Sequence, residues 1–307
     1  MKRLYILFIL VTFALSYKVS YGQSAGFMLI SPDARTIALG GESPGIVSGI
    51  YGFNNNTASV LFTGNKGAAG ASYSSWLPST LENSMIGGSG YFRTGERSAI
   101  SFGYSNVSYA DIELSDQYGN RDGFFTPSEY FAGVGFSYLL GDNLSAAVNV
   151  KYVSSDLGGE SAANAFAGDA TLFYMKENLS LGLVVANIGS SLDYGNGAYS
   201  LPANAKFGAG LEQSLSEKGI LLLTASAGMI FEGSSFMAGA GAEYTYDNLF
   251  SLRVGAHYGD KEKSLPSYLS AGAGLNIQGL ELNFAYVVGQ SDSPVNNSFN
   301  IGLGYNF

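Results

Sequence analysis

From about residue 67 onward, apolar and polar positions alternate with a period of two, the spacing of strands whose two faces meet different surroundings. The pattern recurs in segments of roughly ten residues, at 67–76, 82–92, 97–109, 130–140, 143–153, 165–174, 178–188, 201–214, 219–230, 236–246, 249–258, 267–277, 280–288 and 298–307. These are fourteen predicted strands, an even number. The last is the clearest. Phe299, Ile301, Leu303, Tyr305 and Phe307 share one face, and Ser298, Asn300, Gly302, Gly304 and Asn306 share the other. The segment before it sets Leu280, Leu282, Phe284, Tyr286 and Val288 against Glu281, Asn283, Ala285 and Val287.

A soluble sandwich also alternates. Its outer face usually carries many charges, however, whereas the opposing faces here are Gly, Ala, Ser and Asn, which suit a confined lumen. The fold class expected is all-β: a transmembrane antiparallel β-barrel of about 14 strands. Connections after even-numbered segments are short, as in Arg93-Thr94-Gly95-Glu96, Gly141-Asp142-Asn143 and Gln278-Gly279. Most of those after odd-numbered segments are longer: 110–129, 154–164, 189–200, 259–266 and 289–297. Outer-membrane barrels have short periplasmic turns and longer outer loops. The long connections are therefore expected on the cell surface, with both chain ends and Phe307 at the periplasmic rim. Phe307 is expected to act in assembly, with the final strand pairing the first near Ala69 to Tyr73. Tyr138, Tyr152, Tyr174, Tyr244, Tyr246, Tyr258, Tyr286 and Tyr305 fall near strand ends, where an apolar ring with a polar tip suits the lipid–water boundary.

The N-terminus reads differently. Lys2 and Arg3 precede an uncharged run from Leu4 to Leu15, followed by Ser20-Tyr21-Gly22. That is the pattern of a secretory signal peptide over 1–22, and the run falls short of the ~20 residues of a spanning helix. Residues 23–66 do not alternate; they carry Gly40-Gly41, Pro44-Gly45 and Asn54-Asn55-Asn56-Thr57. They are expected to form a hatch in the lumen or a cap at its periplasmic mouth, with Asp33 or Arg35 bonded to the barrel, which occupies 67–307. Charged residues are 13% of the 307, about half the usual share. The formal charge of −9 argues against nucleic acid as a partner.

Candidate chemistry is sparse. No cysteine is present, which removes thiolate metal sites and cysteine nucleophiles. The one histidine, His257, lies on the face of Leu249, Ser251, Arg253 and Gly255, with no acid and nucleophile spaced to make it a base. No catalytic residue, metal or cofactor is expected, and the chain is not expected to be an enzyme. Lys151, Asp169, Lys206, Glu243, Arg253 and Glu281 fall on lumen faces, where charges pair or face water. The first long loop carries Asp111, Glu113, Asp116, Tyr118, Phe124 and Phe125, acids beside rings, as in a partner-binding surface. Its acids match no EF-hand spacing.

Several ordered stretches resemble the PorV/PorQ family of Bacteroidetes outer-membrane proteins, itself similar to FadL-type barrels. They are SPDARTIALGG (Ser31 to Gly41), ASYSSWL (Ala71 to Leu77), the run from Phe124 to Glu160, AANAFAGDATLFY (Ala162 to Tyr174), ANIGSSLDYG (Ala186 to Gly195) and LPANAKFGAG (Leu201 to Gly210). The resemblance implies location in the cell outer membrane, in contact with its lipid, and a role in type IX secretion. It implies partners among secreted cargo with C-terminal β-sandwich domains and other secretion-system proteins, met through the outer loops. The FadL likeness implies an alternative, a transporter of small hydrophobic molecules. FadL-like barrels carry an NPA element after the opening; here Asn54 to Val60 reads NNNTASV.

Overall fold

The computed structural model describes residues 24–78, 83–116, 118–158, 162–195, 197–263, 265–290 and 293–307, so the predicted export signal lies outside the described residues. The strands are β1 (Gly67–Ser75), β2 (Ser84–Arg93), β3 (Ser98–Ser108), β4 (Ser128–Gly141), β5 (Leu144–Asp156), β6 (Ala163–Lys176) and β7 (Leu179–Gly189). After them come β8 (Asn204–Ser214), β9 (Gly219–Ile230), β10 (Ser235–Tyr246), β11 (Phe250–Gly259), β12 (Tyr268–Ile277), β13 (Leu280–Gly289) and β14 (Phe299–Asn306). These fourteen close into one antiparallel barrel in which each strand pairs its sequence neighbours. All fourteen predicted segments are strands. The main shift is at β8, which starts at Asn204 rather than 201. Pro202 has no N–H to give to a ladder.

β14 closes the barrel against β1 with Ala69 opposite Tyr305 and Tyr73 opposite Ile301. Closure leaves no strand edge in the hydrocarbon, where an unpaired backbone group is costly. The seam is tied at its end by Phe307. Its carbonyl accepts from Lys66 N at 2.8 Å and Gly67 N at 3.0 Å, and its N–H donates to Gly67 O at 2.9 Å. The two-residue turn Gln278-Gly279 has φ of 52° and 89°, the doubly positive geometry that matches strand twist. Leu249, predicted on the lumen face, instead sits exposed in the turn before β11.

Outward positions are apolar and form two aromatic belts. Near the long connections, rings follow one another at 6.3 Å (Tyr104–Tyr130), 6.2 Å (Tyr130–Tyr152) and 5.5 Å (Tyr152–Phe166). Near the short turns, Tyr138 lies under Arg97, and Tyr305 stacks on Phe307. Amphipathic rings at both boundaries are what a membrane barrel requires.

Residues 24–66 fill the lumen as a chain of short turns. A 3₁₀ turn (Gly26–Leu29) leads to a helix (Ala34–Ala38), a second helix (Gly52–Asn55) and a 3₁₀ turn (Thr57–Phe62). Asp33 caps the first helix, accepting from Arg35 N at 3.0 Å and Thr36 N at 3.2 Å. Ser24 N donates to Ser200 O at 3.1 Å, and its hydroxyl meets the Tyr194 hydroxyl at 2.9 Å. Both partners belong to the long connection after β7. The segment thus begins at the long-connection end and descends the lumen to Lys66. Only the barrel's own ends, Gly67 and Phe307, share the short-turn rim. The expectation of both chain ends at that rim is corrected: the lumen supplies bonds for the segment's beginning at the opposite mouth.

Phe307 secures the seam through backbone and ring together. Its deletion should lower the heat-modifiable, fully folded fraction in outer membranes, whereas Phe307→Tyr should retain it. Equal folded fractions for the deletion and the intact chain would refute this role.

Candidate functional site

The hatch meets the barrel through two kinds of contact. The first pairs lumen hydroxyls with hatch carbonyls. Ser137 donates to Thr57 O at 2.8 Å, Ser145 to Ala58 O at 2.7 Å, and Ser180 to Gly45 O at 2.6 Å. Ser226 donates to Glu42 O at 2.7 Å and Ser270 to Ala38 O at 3.1 Å. In the reverse sense, Asn56 donates to Leu172 O at 3.0 Å. The His257 ring is committed the same way: its Nδ1 lies 2.9 Å from Gly40 O, and the ring stacks on Tyr268 at 4.8 Å. A buried carbonyl without a donor is destabilising, so these bonds let an irregular segment lie inside the sheet.

The second kind is ionic, and every predicted lumen charge has a partner. Arg35 forks onto Glu243 at 2.8 and 2.7 Å and reaches Val47 O at 2.9 Å. Arg253 also binds Glu243, and it donates to Asn283 at 2.7 Å. Lys206 pairs with Glu42 at 2.7 Å. Lys151 pairs with Asp169 at 2.8 Å, and Glu281 accepts from Asn306 at 2.6 Å. Of the two predicted hatch contacts, Arg35 reaches the barrel, and the Asp33 carboxylate bonds within the hatch. Glu42 escaped sequence reading because residues 23–66 have no alternation to show which side chains meet the wall.

At the long-connection mouth, a chain of hydroxyls ends on Glu129. Tyr194 donates to Ser155 at 2.7 Å, and Ser155 to Glu129 at 2.8 Å. Tyr109 donates to the other Glu129 oxygen at 2.6 Å. Burial and the neighbouring Glu129 charge push the Tyr109 phenol well above its ordinary pKa, so it stays a donor. Tyr109 also anchors the base of the long loop, through its N–H to Pro127 O at 3.0 Å.

That loop folds into a hairpin, Ile112–Ser115 against Arg121–Phe125. The structure brings the six predicted loop residues together but divides their work. Asp111 accepts from Thr126 at 2.5 Å, and Glu113 pairs with Arg121. Asp116 holds the tip, accepting from Tyr118 N at 2.8 Å and from Asn120 N and Nδ2 at 2.9 Å. The Asn120 side-chain bond leads the interactions that hold the Asp116 carboxyl below its usual range. Phe125 leans on the next loop, where a Cβ at Gly158 would lie 3.3 Å from its ring. Tyr118 (80% exposed) and Phe124 (67%) project from the surface with Ile112 and Leu114.

Beneath the mouth, above the hatch, lies a cavity of about 760 Å³ lined by Phe27, Ile30, Trp76, Asn83, Tyr268 and Val295 among others. Sequence reading did not find it, since its walls come from eight separate stretches of chain.

Comparison with known proteins agrees with this architecture. Residues 18–228 match the family described as "Type IX secretion system protein PorV". No curated protein matches the sequence. Among solved structures, the chain is similar to the Pseudomonas putida toluene transporter TodX, with a TM-score of 0.66 and 14% identity, covering 91% of this chain and 99% of that one. A Pseudomonas aeruginosa FadL homologue aligns with a TM-score of 0.57 and 12% identity, covering 89% and 98%. At such identities the likeness is one of fold.

Two outcomes follow from the geometry. Glu243→Ala leaves Arg35 and Arg253 facing each other unneutralised and should cost about 3–5 kcal/mol, the range for a broken buried pair. Arg35→Ala leaves Glu243 paired with Arg253 and should cost less. Thermal loss of heat-modifiable migration for both variants checks the order, and the reverse order would count against it. At the tip, the Asp116 pKa is lowered on folding, so its stabilisation is full above the unfolded carboxylate pKa and lost as pH falls through the folded value. Amide-exchange protection at Tyr118 and Asn120, measured relative to the intrinsic exchange rate at each pH, should therefore fall on acidification, and Asp116→Ala should lack this protection at every pH; pH-independent native protection would exclude this.

Proposed function

Because the chain belongs to the type IX secretion system family of PorV, we propose that this outer-membrane barrel binds secreted cargo or its attachment partners through the long loops, without catalysis. One observation carries the reading: Asp116 holds the hairpin's tip and Asp111 bonds at its base, so the hairpin presents Tyr118 and Phe124 outward on an ordered frame. Rigid loops on a fixed scaffold are common binding elements. Exposed rings provide anchoring area, while the rim charges of Asp111 and Glu113 bear on partner choice and association rate. A hatch bonded to many strands supports a scaffold that presents loops.

The second reading, a transporter of small apolar molecules, is favoured by the FadL-like fold and by the apolar cavity above the hatch. Shortening residues 112–122 to a tight turn separates the two. Under the first reading, barrel assembly stays normal and surface display of cargo carrying C-terminal signals is lost. Normal display in that variant, together with impaired uptake of apolar compounds in a variant whose cavity is filled, would replace it with the second.

A further inference from the structure

The surface hairpin leaves a backbone edge that the barrel does not use. Ile112–Ser115 pairs with Arg121–Phe125 in a sheet of two strands, and all four residues of Ile112–Ser115 are exposed. The phase of its backbone is set at the tip. Asp116 N donates to Asn120 O at 2.8 Å, and Gly119 N donates to Asp116 O at 3.0 Å. Residues facing each other in an antiparallel pair alternate between exchanging hydrogen bonds and not exchanging them. Asp116 turns its backbone groups inward, so Leu114 and Ile112 do the same. Glu113 and Ser115 then turn their N–H and C=O groups to the free side. The opposite edge is interrupted. The register shifts at Leu114/Ser115, Asp122 is the extra residue, and Gly123 takes a φ of +113°. A bulge of this kind blunts an edge. The extra residue lies on Arg121–Phe125, so Ile112–Ser115 keeps a regular one.

Side chains along the edge define what can pair with it. Ile112 and Leu114 share one face of the strand, and Glu113 lies on the other, where it meets Arg121. A strand added here sets alternate residues beside the apolar pair and the residues between them beside Glu113. The surroundings are acidic. The hairpin carries Asp111, Glu113, Asp116 and Asp122 against one cation, Arg121. Among the described residues of the other long connections, Asp193, Glu232, Asp260 and Glu262 stand against Lys261 and Lys263. A mouth of this sign draws in a basic segment, and it repels the same hairpin of a second copy.

Given that the hairpin is the partner-binding loop, we propose that Ile112–Ser115 is a docking edge for an extended segment of the partner in which apolar residues alternate with lysine or arginine. The segment joins as a third, antiparallel strand, the more stable pairing. Its basic residues lie opposite Glu113 and Ser115 and exchange backbone hydrogen bonds with them. Its apolar side chains cover Ile112 and Leu114. Strand addition of this kind draws affinity from main-chain bonds and selectivity from alternate side chains.

The purified full chain in nanodiscs of zwitterionic lipid is titrated against a fluorescein-labelled octapeptide of alternating valine and lysine, and binding is read by anisotropy. Saturable binding is expected. Backbone N-methylation at the lysines removes the donors that face the hairpin and should weaken it roughly tenfold, the scale of one or two hydrogen bonds. N-methylation at the valines should leave it unchanged, and glutamate in place of lysine should abolish it. Glu113→Pro removes an N–H that points outward and no inward one, so it should cost a similar factor; Glu113→Ala keeps that N–H and should cost less. If Glu113→Pro unsettles the hairpin, the two N-methylated peptides on the native chain decide. Equal weakening by both N-methylations, equal binding of the glutamate peptide, or no saturable binding would overturn the proposal. Display of cargo in cells distinguishes edge pairing from loop binding. Display lost on shortening 112–122 but kept in Glu113→Pro would overturn the edge alone, and display kept in both would overturn the loop as well.

Discussion

An irregular chain inside a closed sheet has a hydrogen-bonding problem that the sheet cannot solve by itself. The barrel's backbone groups are used up in its own ladders, so hatch carbonyls must find donors on side chains. Ser137, Ser145, Ser180, Ser226 and Ser270 supply them from five different strands. Elsewhere the wall must be bare. A Cβ at Gly182 would lie 1.8 Å from Pro44 O, and one at Gly255 would lie 2.3 Å from Gly40 N. The small-residue face of each strand is therefore a negative image of the hatch, with serine where a carbonyl points and glycine where backbone touches backbone.

The ionic contacts follow from the same confinement. Charges removed from water need partners, and each partner here lies on another strand or on the hatch itself. Glu243 takes two arginines, one from each side of the hatch–wall boundary. Lys206 and Glu42 join β8 to the turn after the first hatch helix. Lys151 and Asp169 tie β5 to β6, where the β6–β7 register shifts and Asn187 turns left-handed to give its N–H to Asp169 at 2.9 Å. Specificity of docking is a physical consequence: a hatch displaced along the lumen would pull Arg35 out of its two-bond fork with Glu243.

The strands were legible because a wall between lipid and lumen imposes a period of two on every residue, as Ile301, Leu303 and Tyr305 against Gly302 and Gly304 illustrate. Connection lengths then separated a long-connection mouth from a short-turn rim. Arg35 stood out as a cation in an otherwise weakly charged segment, but its partner Glu243 lies 208 positions away, beyond any local pattern. The hatch path was illegible for another reason: turns held by lumen serines leave no periodic trace in their own sequence. The hairpin was read as an acidic loop with rings. That Asp116 turns back onto the backbone of its own tip follows from turn geometry, which composition does not disclose. Asn83 and Trp76 share a cavity only because β1 and β2 end beside the hatch's first turn.

The path of the hatch has a consequence for how the molecule comes to exist. Ser24 is bonded at one mouth and Lys66 at the other. A finished cylinder would leave the segment only a corridor of backbone width, lined by glycines already in contact distance. Threading such a corridor is a far harder search than curling a sheet around a segment laid along it. The hatch is thus better understood as a mandrel: the strands wrap onto it, serine by serine, and the meeting of β14 with β1 locks a filled tube. On this view plugging and closure are coupled, since the contacts that position the hatch are also the contacts that line the closed tube.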